Sequence, residues 1–408
     1  MRKSFGLLAL SVAAFVILGM PKSAFGVAWP SVAGDLGRSV ADLGLVIALY
    51  VVGYFLASVG TGFLSHRFSM GSVLMIAGGL ATVSLVGYAI AGRWAWLLVA
   101  ALGLGLSGGL VDVGVNAVVA VHHGARAMGM LHAGFGIGAT LGPLMMTTFL
   151  ETNVSWRVGF VVLALAQGAL AIFFLRTRRE WNVEPPEDGS SKTVRTDRKA
   201  LLGGALVMFA LYAGVELGTG QWAYTLLTEG RGVSTAAAGV AVTAFWAGLT
   251  VSRLALGVIG HRVAIQRLLG GSSLLVLVGV VAFWLNPVEW VGLLGLVVMG
   301  LALGPIFPLQ TTLTPSRVGV AYTPTAVGYQ LAAATVGAAV IPGGLGIVVS
   351  RFGLEVVGVV LMVTAVLLAG SIELLRRLSA RSNAAPPVDP TTPKRVLPKH
   401  EGPAVSFD

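Results

Sequence analysis

Twelve long apolar runs set what this chain can fold into. Crossing about 30 Å of hydrocarbon takes about 20 helical residues, and each run is close to that length or longer. The runs show no alternation of polar and apolar residues, so they predict transmembrane helices rather than barrel strands. They lie near 5–29, 43–64, 71–91, 95–120, 128–150, 157–176, 200–227, 236–260, 267–286, 290–313, 322–349 and 353–378.

The composition excludes the main soluble classes of protein. Only 11% of the residues are charged, whereas a soluble domain carries about 25%. The chain therefore needs lipid as its solvent, and a soluble enzyme or a nucleic-acid-binding domain is excluded. With no cysteine in 408 residues, disulfides and thiolate metal sites are absent, and no other metal-ligand or cofactor motif is present. We expect no cofactor apart from a coupling ion.

The first run has an alternative interpretation as a signal peptide, because Arg2 and Lys3 precede it. It continues through Phe25 to Trp29 without a small-residue cleavage site. We therefore expect a retained first helix.

The positive charges predict the orientation in the membrane. If both chain ends are cytoplasmic, that side collects 20 of the 27 Lys and Arg residues and the outside collects five. This asymmetry favours a protein of the inner or plasma membrane with cytoplasmic N- and C-termini. The net charge of +10 is then a signal of topology rather than of nucleic-acid binding.

The chain divides into two similar halves. The polar stretch 177–199 separates residues 1–176 from 200–378, and a Pro-rich tail, 379–408, is expected to be a disordered cytoplasmic segment. The segment Gly62–Arg67 is echoed by Gly257–Arg262. Gly138 and Pro143 are echoed likewise by Gly337 and Pro342. Two parallel six-helix repeats predict a transporter fold with its site near the midplane.

Four charged side chains stand out because they fall at bilayer depth in the predicted helices: Lys22, Asp112, Glu216 and Arg253. Each is costly at bilayer depth and calls for a reason. In a structural interpretation Lys22 pairs with Asp112, and Arg253 pairs with Glu216 or with helix ends. In a functional one the two carboxylates carry protons or accept hydrogen bonds from sugar hydroxyls, with Lys22 and Arg253 as their charge partners.

Further polar and aromatic residues are candidate contacts for a solute. Asp112 and Asn116 share a helix face, as do Tyr212 and Glu216. Such side chains also serve packing alone, and His132 could bond only to a neighbouring helix. The candidates are Asn116, Tyr212, Gln221, Trp222, His132, Gln310 and Gln330.

His66, Arg67, His261 and Arg262 follow the second and eighth runs. Positive charge is favourable at a helix C-terminus in any case. The alternative is a cytoplasmic gate.

One motif has a simpler explanation than catalysis. Gly105-Leu-Ser107-Gly108-Gly109 fits an intramembrane serine protease, which would need His132 as its base. Glycines at such spacing more often allow close helix packing, as we also expect for Gly134 and Gly138.

Several segments resemble the major facilitator superfamily, and within it the fucose–proton symporter and glucose transporter family. The seventh run, from Tyr212 through Glu216 to Trp222, resembles that family's YxGxE…W segment. Asp112 followed by Asn116 resembles its acid and asparagine in the fourth helix. Parts of the fifth, tenth and eleventh runs extend the likeness.

One departure concerns coupling. The fucose symporter has an acidic residue four positions before a proline in its first helix. In this chain that proline would be Pro30, and the residue four positions before it is Gly26. Asp112 would then act alone in the N-terminal half. The loop after the second run likewise has Ser65-His66-Arg67 where the superfamily motif has an aspartate.

The resemblance implies a twelve-helix, monomeric transporter that takes up a small polar solute, a sugar, by proton symport. Asp112 would be the first coupling residue and Glu216 the second. Sodium coupling, and export of a drug or metabolite in exchange for protons, stay open.

Overall fold

A computed structural model describes residues 2–122, 124–181, 198–259, 264–286, 288–319 and 323–384. Throughout these ranges the regular structure is helical, and twelve segments are long and apolar enough to span a membrane. The helices are α1 (Arg2–Asp35), α2 (Leu43–Arg67), α3 (Met70–Ile90), α4 (Trp94–His122), α5 (Gly124–Glu151), α6 (Trp156–Thr177), α7 (Lys199–Thr225), α8 (Thr235–Ile259), α9 (Ile265–Leu285), α10 (Glu289–Leu303), α11 (Ile306–Thr312), α12 (Thr314–Val318), α13 (Thr323–Phe352) and α14 (Val356–Ala384).

The predicted spans are present, and the differences lie at their ends. Helix α1 continues through Pro30 to Asp35, because neighbouring helices can accommodate a proline inside a transmembrane helix. The tenth span is broken at Gly304-Pro305 into α10 and α11, where proline supplies no backbone N–H. Most of the predicted linker and tail, at 182–197 and 385–408, lies outside the described residues.

The same glycine contact is found in both halves of the chain. Gly138 of α5 packs directly against the backbone carbonyl of Val16 in α1, and Gly337 of α13 packs against that of Ala210 in α7. A methyl group at either glycine would overlap the facing carbonyl oxygen. The echo in the sequence therefore corresponds to one helix pair used twice.

The two halves meet along α1 and α7 and along α2 and α13. The Gln221 side chain donates to the Lys22 carbonyl at 2.8 Å. Gly44, in the first turn of α2, packs against the backbone of Gly343 and Gly346. That turn lies on the membrane face opposite to the chain ends, so the halves are closed on that face.

Helices α5 and α8 form the third contact between the halves. Gly239 packs against Thr147 near the same face, and Gly136 packs against Thr250 deeper in the bundle. One turn further toward the chain ends, His132 is exposed.

Candidate functional site

A cavity lies between the two halves, bordered by α1, α2, α3 and α4 from one half and by α7 and α13 from the other. The empty space within it, counted together with the solvent to which it opens, is about 450 Å³. Its lining residues are Pro21, Lys22, Phe25, Val46, Ile47, Tyr50, Val51, Tyr88, Leu104, Leu217, Gln221, Ala338 and Pro342. Of the residues predicted from the sequence, Lys22 and Gln221 line this space directly.

Asp112 is held by neutral groups. The Tyr54 hydroxyl donates to its Oδ2, and the Asn116 amide donates to its Oδ1 at 2.8 Å. Asn116 is thus the partner of Asp112 on the same helix face, as its spacing predicts, and its own Oδ1 is buried without a hydrogen bond in the described part of the chain.

Sequence reasoning missed Tyr54. The sequence shows that Tyr50 and Tyr54 are one turn apart on α2, but not that this face meets the small residues Gly105 and Gly109 of α4, as it does in the structure. Small residues at a helix contact let a large neighbouring side chain approach the groups beside them. Tyr54 reaches Asp112 by this route.

Glu216 has a charged partner. The Arg253 guanidinium donates to the Tyr212 hydroxyl at 2.8 Å and to Glu216 Oε2 at 3.2 Å. The sequence placed Tyr212 and Glu216 on one face of α7, and Arg253 of α8 meets that face. Arg253 Nε is buried without an acceptor among the described residues.

Lys22 makes no comparable contact. Among the described residues no carboxylate oxygen lies within 4.0 Å of its ammonium group, so the pairing with Asp112 considered from the sequence is not formed in this structure. Lys22 also borders a second cavity inside the N-terminal half, beside Tyr50, Ser107 and Gln167.

Trp222 and His132 lie apart from the lining of the central cavity. The Trp222 indole donates to the Pro342 carbonyl at 2.9 Å and is fully buried. His132 is exposed, and its ring meets Phe15 edge-on with the centroids 5.8 Å apart. Trp222 thereby fastens α7 to α13 in this conformation.

Gln310 and Gln330 belong to a separate polar cluster near the end of the tenth span. Arg317, only 4% exposed, donates to Gln310 Oε1 at 2.7 Å. Gln330 donates to Thr314 Oγ1 at 3.1 Å. No carboxylate within the described ranges pairs with Arg317, and its Nε and Nη1 are buried there without a hydrogen-bond partner.

The predicted gate falls largely outside the described residues. His261 and Arg262 are not described, and nothing is described of the His66 side chain. Arg67 ends α2 and is exposed. In the protease motif, Ser107 donates to the Leu104 carbonyl at 3.0 Å in the core, while His132 packs against Phe15.

Comparison with known proteins places this arrangement among transporters. The family model of the Major Facilitator Superfamily matches residues 11–342. The glucose/mannose transporter GlcP of Bacillus subtilis is 24% identical, over 80% of this chain and 84% of its own. Bypass of stop codon protein 6 of Saccharomyces cerevisiae is 26% identical, over 84% of this chain and 76% of its own.

Solved transporter structures share the fold. A bacterial homologue of the human lysosomal transporter Spinster, inward-facing and unoccupied, gives a TM-score of 0.76 at 16% identity, covering 94% of this chain and 99% of that one. The nucleoside transporter NupG gives 0.73 at 14% identity, covering 91% and 99%.

These findings confirm the fold and the family resemblance read from the sequence. The superfamily and its structural neighbours are transporters rather than enzymes. Since the family model covers most of the chain, the protein belongs to the Major Facilitator Superfamily.

Proposed function

We propose that this transporter takes up a small polar solute, a sugar, by proton symport with alternating access. One observation supports Asp112 as the residue that couples proton movement to solute movement. Asp112 sits inside the membrane with hydrogen bonds from neutral groups only, and no described cation lies within 4.0 Å of it. Burying an uncompensated charge is costly, so a proton on Asp112 lowers the cost of closing the halves over it.

Glu216 is the weaker candidate for the coupling residue. Its charge is already compensated by Arg253 at 3.2 Å. A compensated carboxylate has less need of a proton when the site closes. We therefore assign Asp112 as the primary proton carrier and the pair of Glu216 with Arg253 as a secondary one.

A sugar suits the polar groups around the central cavity. Tyr50, Tyr88 and Gln221 place hydroxyl and amide groups on a lining that is otherwise mostly apolar. Phe25 and Tyr88, two aromatic residues of the lining, stack with ring centroids 5.2 Å apart. The similarity to a glucose/mannose transporter supports the same class of solute.

The orientation follows from the Lys and Arg distribution. We propose that both termini are cytoplasmic, in the inner or plasma membrane. The halves meet on the face opposite to the chain ends, so the structure would then correspond to an inward-facing state. Alternating access requires these contacts at Gly44 and Gly239 to open.

The test is uptake into proteoliposomes, using a panel of labelled sugars and sugar acids with and without an inward proton gradient. We expect gradient-driven accumulation by the wild type. Asp112→Asn, which resembles the protonated side chain, should abolish accumulation but keep solute exchange. Glu289→Gln, at an exposed position in the first turn of α10, is the control. Full accumulation by Asp112→Asn would refute the assignment.

Export is the second candidate function. Nine of the 13 residues that line the central cavity are apolar, which would suit a drug or a less polar metabolite exchanged for protons. Loss of the panel's signal under both proton and sodium gradients, with proton-driven extrusion of an apolar compound, would favour this alternative.

A further inference from the structure

Of the four charged side chains that the sequence predicts at bilayer depth, three have hydrogen-bond or ion-pair partners among the described residues. Both oxygens of Asp112 accept hydrogen bonds, from Tyr54 and Asn116. Glu216 and Arg253 bind each other. The ammonium group of Lys22 offers three donors, and none of them is used by the described residues.

Lys22 stands where a solute would reach it. It lines the cavity between the halves and also the second cavity within the N-terminal half. Its own carbonyl accepts from Gln221 of the opposite half at 2.8 Å. This bond fixes the α1 backbone at Lys22 against α7, so the side chain starts from a defined position in the central cavity.

An unpaired ammonium in such a place selects for a negative group. A lone charge in the membrane interior is unfavourable, and a carboxylate that joins it supplies a charge-assisted hydrogen bond. Asp112 and Glu216 attract Lys22 only at longer range, because their oxygens lie more than 4.0 Å from its ammonium group.

We infer that Lys22 binds an acidic group of the solute, so that the transported compound is a sugar acid rather than a neutral sugar. This rests on the proposed function and narrows its substrate class. Tyr50, Tyr88 and Gln221 line the same cavity and carry groups that can hydrogen-bond to the hydroxyl groups of such a compound.

The charges give this solute a reason to travel with a proton. The formal charges of Lys22, Arg253, Asp112 and Glu216 sum to zero when no solute is bound, although only Glu216 and Arg253 are in direct contact. A bound carboxylate adds one negative charge, and a proton on Asp112 removes one. One bound anion and one proton together therefore leave the sum of the charges at zero. The two halves close most easily over a site with no net charge.

The test compares wild type, Lys22→Met, Lys22→Arg and Lys199→Met, the last an exposed lysine at the start of α7. Binding of D-gluconate, D-galacturonate, D-glucose and D-galactose is measured on the purified full chain, and uptake in proteoliposomes. We expect wild type and Lys199→Met to prefer the acids. Lys22→Met should lose acid binding by about tenfold or more, and Lys22→Arg should retain most of it.

The outcomes separate this inference from the proposed function. Proton-driven uptake of glucose or galactose that Lys22→Met leaves unchanged would overturn the inference but keep the function. No binding or uptake of either class would overturn both. If Lys22→Met fails to fold, the preference of the wild type and of Lys22→Arg for acids over neutral sugars decides the matter.

Discussion

Glu216 and Arg253 form the one ion pair that joins helices at the level of the candidate site in the described residues. The pair is largely buried, with Glu216 8% exposed. Removing one member of such a pair leaves the other charge without compensation, whereas removing both does not. The pair therefore links α7 to α8 as well as taking part in the site.

This arrangement predicts a non-additive pair of substitutions. Glu216→Gln and Arg253→Met alone should each destabilise the protein by about 1.5–3 kcal/mol. The double variant should be more stable than the sum of the two losses predicts. Thermal unfolding in detergent measures all three variants, and strict additivity would show that the contact contributes no coupling energy.

Contacts between side chains on one helix can be predicted from the sequence, whereas contacts between helices cannot. The spacing of Asp112 and Asn116 and of Tyr212 and Glu216 predicts shared faces, and both are observed. No local pattern indicates that the Tyr54 hydroxyl donates to Asp112, which lies 58 positions away in the sequence. Nor does a local pattern indicate that Arg317 donates to Gln310. Such contacts depend on which helices become neighbours.

Glycine contacts set how closely the helices of each half approach. Gly138 and Gly337 each face a backbone carbonyl of a neighbouring helix, whereas Gly129 on α5 and Gly344 on α13 face open space. The chain thus supplies a matched control on each of the two helices. Helix packing in a membrane depends on such close approach, because lipid gives no hydrophobic drive for helices to associate.

We expect Gly138→Ala and Gly337→Ala each to destabilise the protein by about 1–3 kcal/mol, since the added methyl group overlaps backbone atoms. Gly129→Ala and Gly344→Ala should leave the melting temperature unchanged or slightly raised. Melting temperatures of the four variants in detergent provide the comparison. Equal effects at the packed and open positions would contradict this account of α5 and α13.

The number and position of the membrane-spanning helices could be predicted from the sequence, but their breaks and irregular turns could not. Length and hydropathy alone give the twelve spans. The break between α10 and α11 was missed, although Gly304-Pro305 and Pro308 mark it, because the apolar run continues across it. The π-helical turn at Leu226–Gly230 has no comparable signal in the sequence.

At the scale of the molecule, transport requires that the contacts between the halves open and close. Gly239 and Thr147 touch on the closed face, and the chain has no native cysteine. A disulfide needs Cβ atoms about 3.5–4.5 Å apart, which a small adjustment at this contact would allow.

Cross-linking at this contact should hold the transporter in one state. We expect the double variant Thr147→Cys with Gly239→Cys to form a disulfide under oxidation and to lose uptake, and reduction should restore it. Each single variant, oxidised in the same way, is the control. Uptake that persists in the fully cross-linked protein would contradict alternating access through these two halves.

The central claim is that solute and proton move together in the same direction, with Asp112 carrying the proton. The most direct measurement records the internal pH of lightly buffered proteoliposomes when the transported sugar or sugar acid is added outside. The account predicts internal acidification with the wild type and none with Asp112→Asn, although that variant still exchanges solute. Internal alkalinisation on uptake, or acidification that survives in Asp112→Asn, would contradict it.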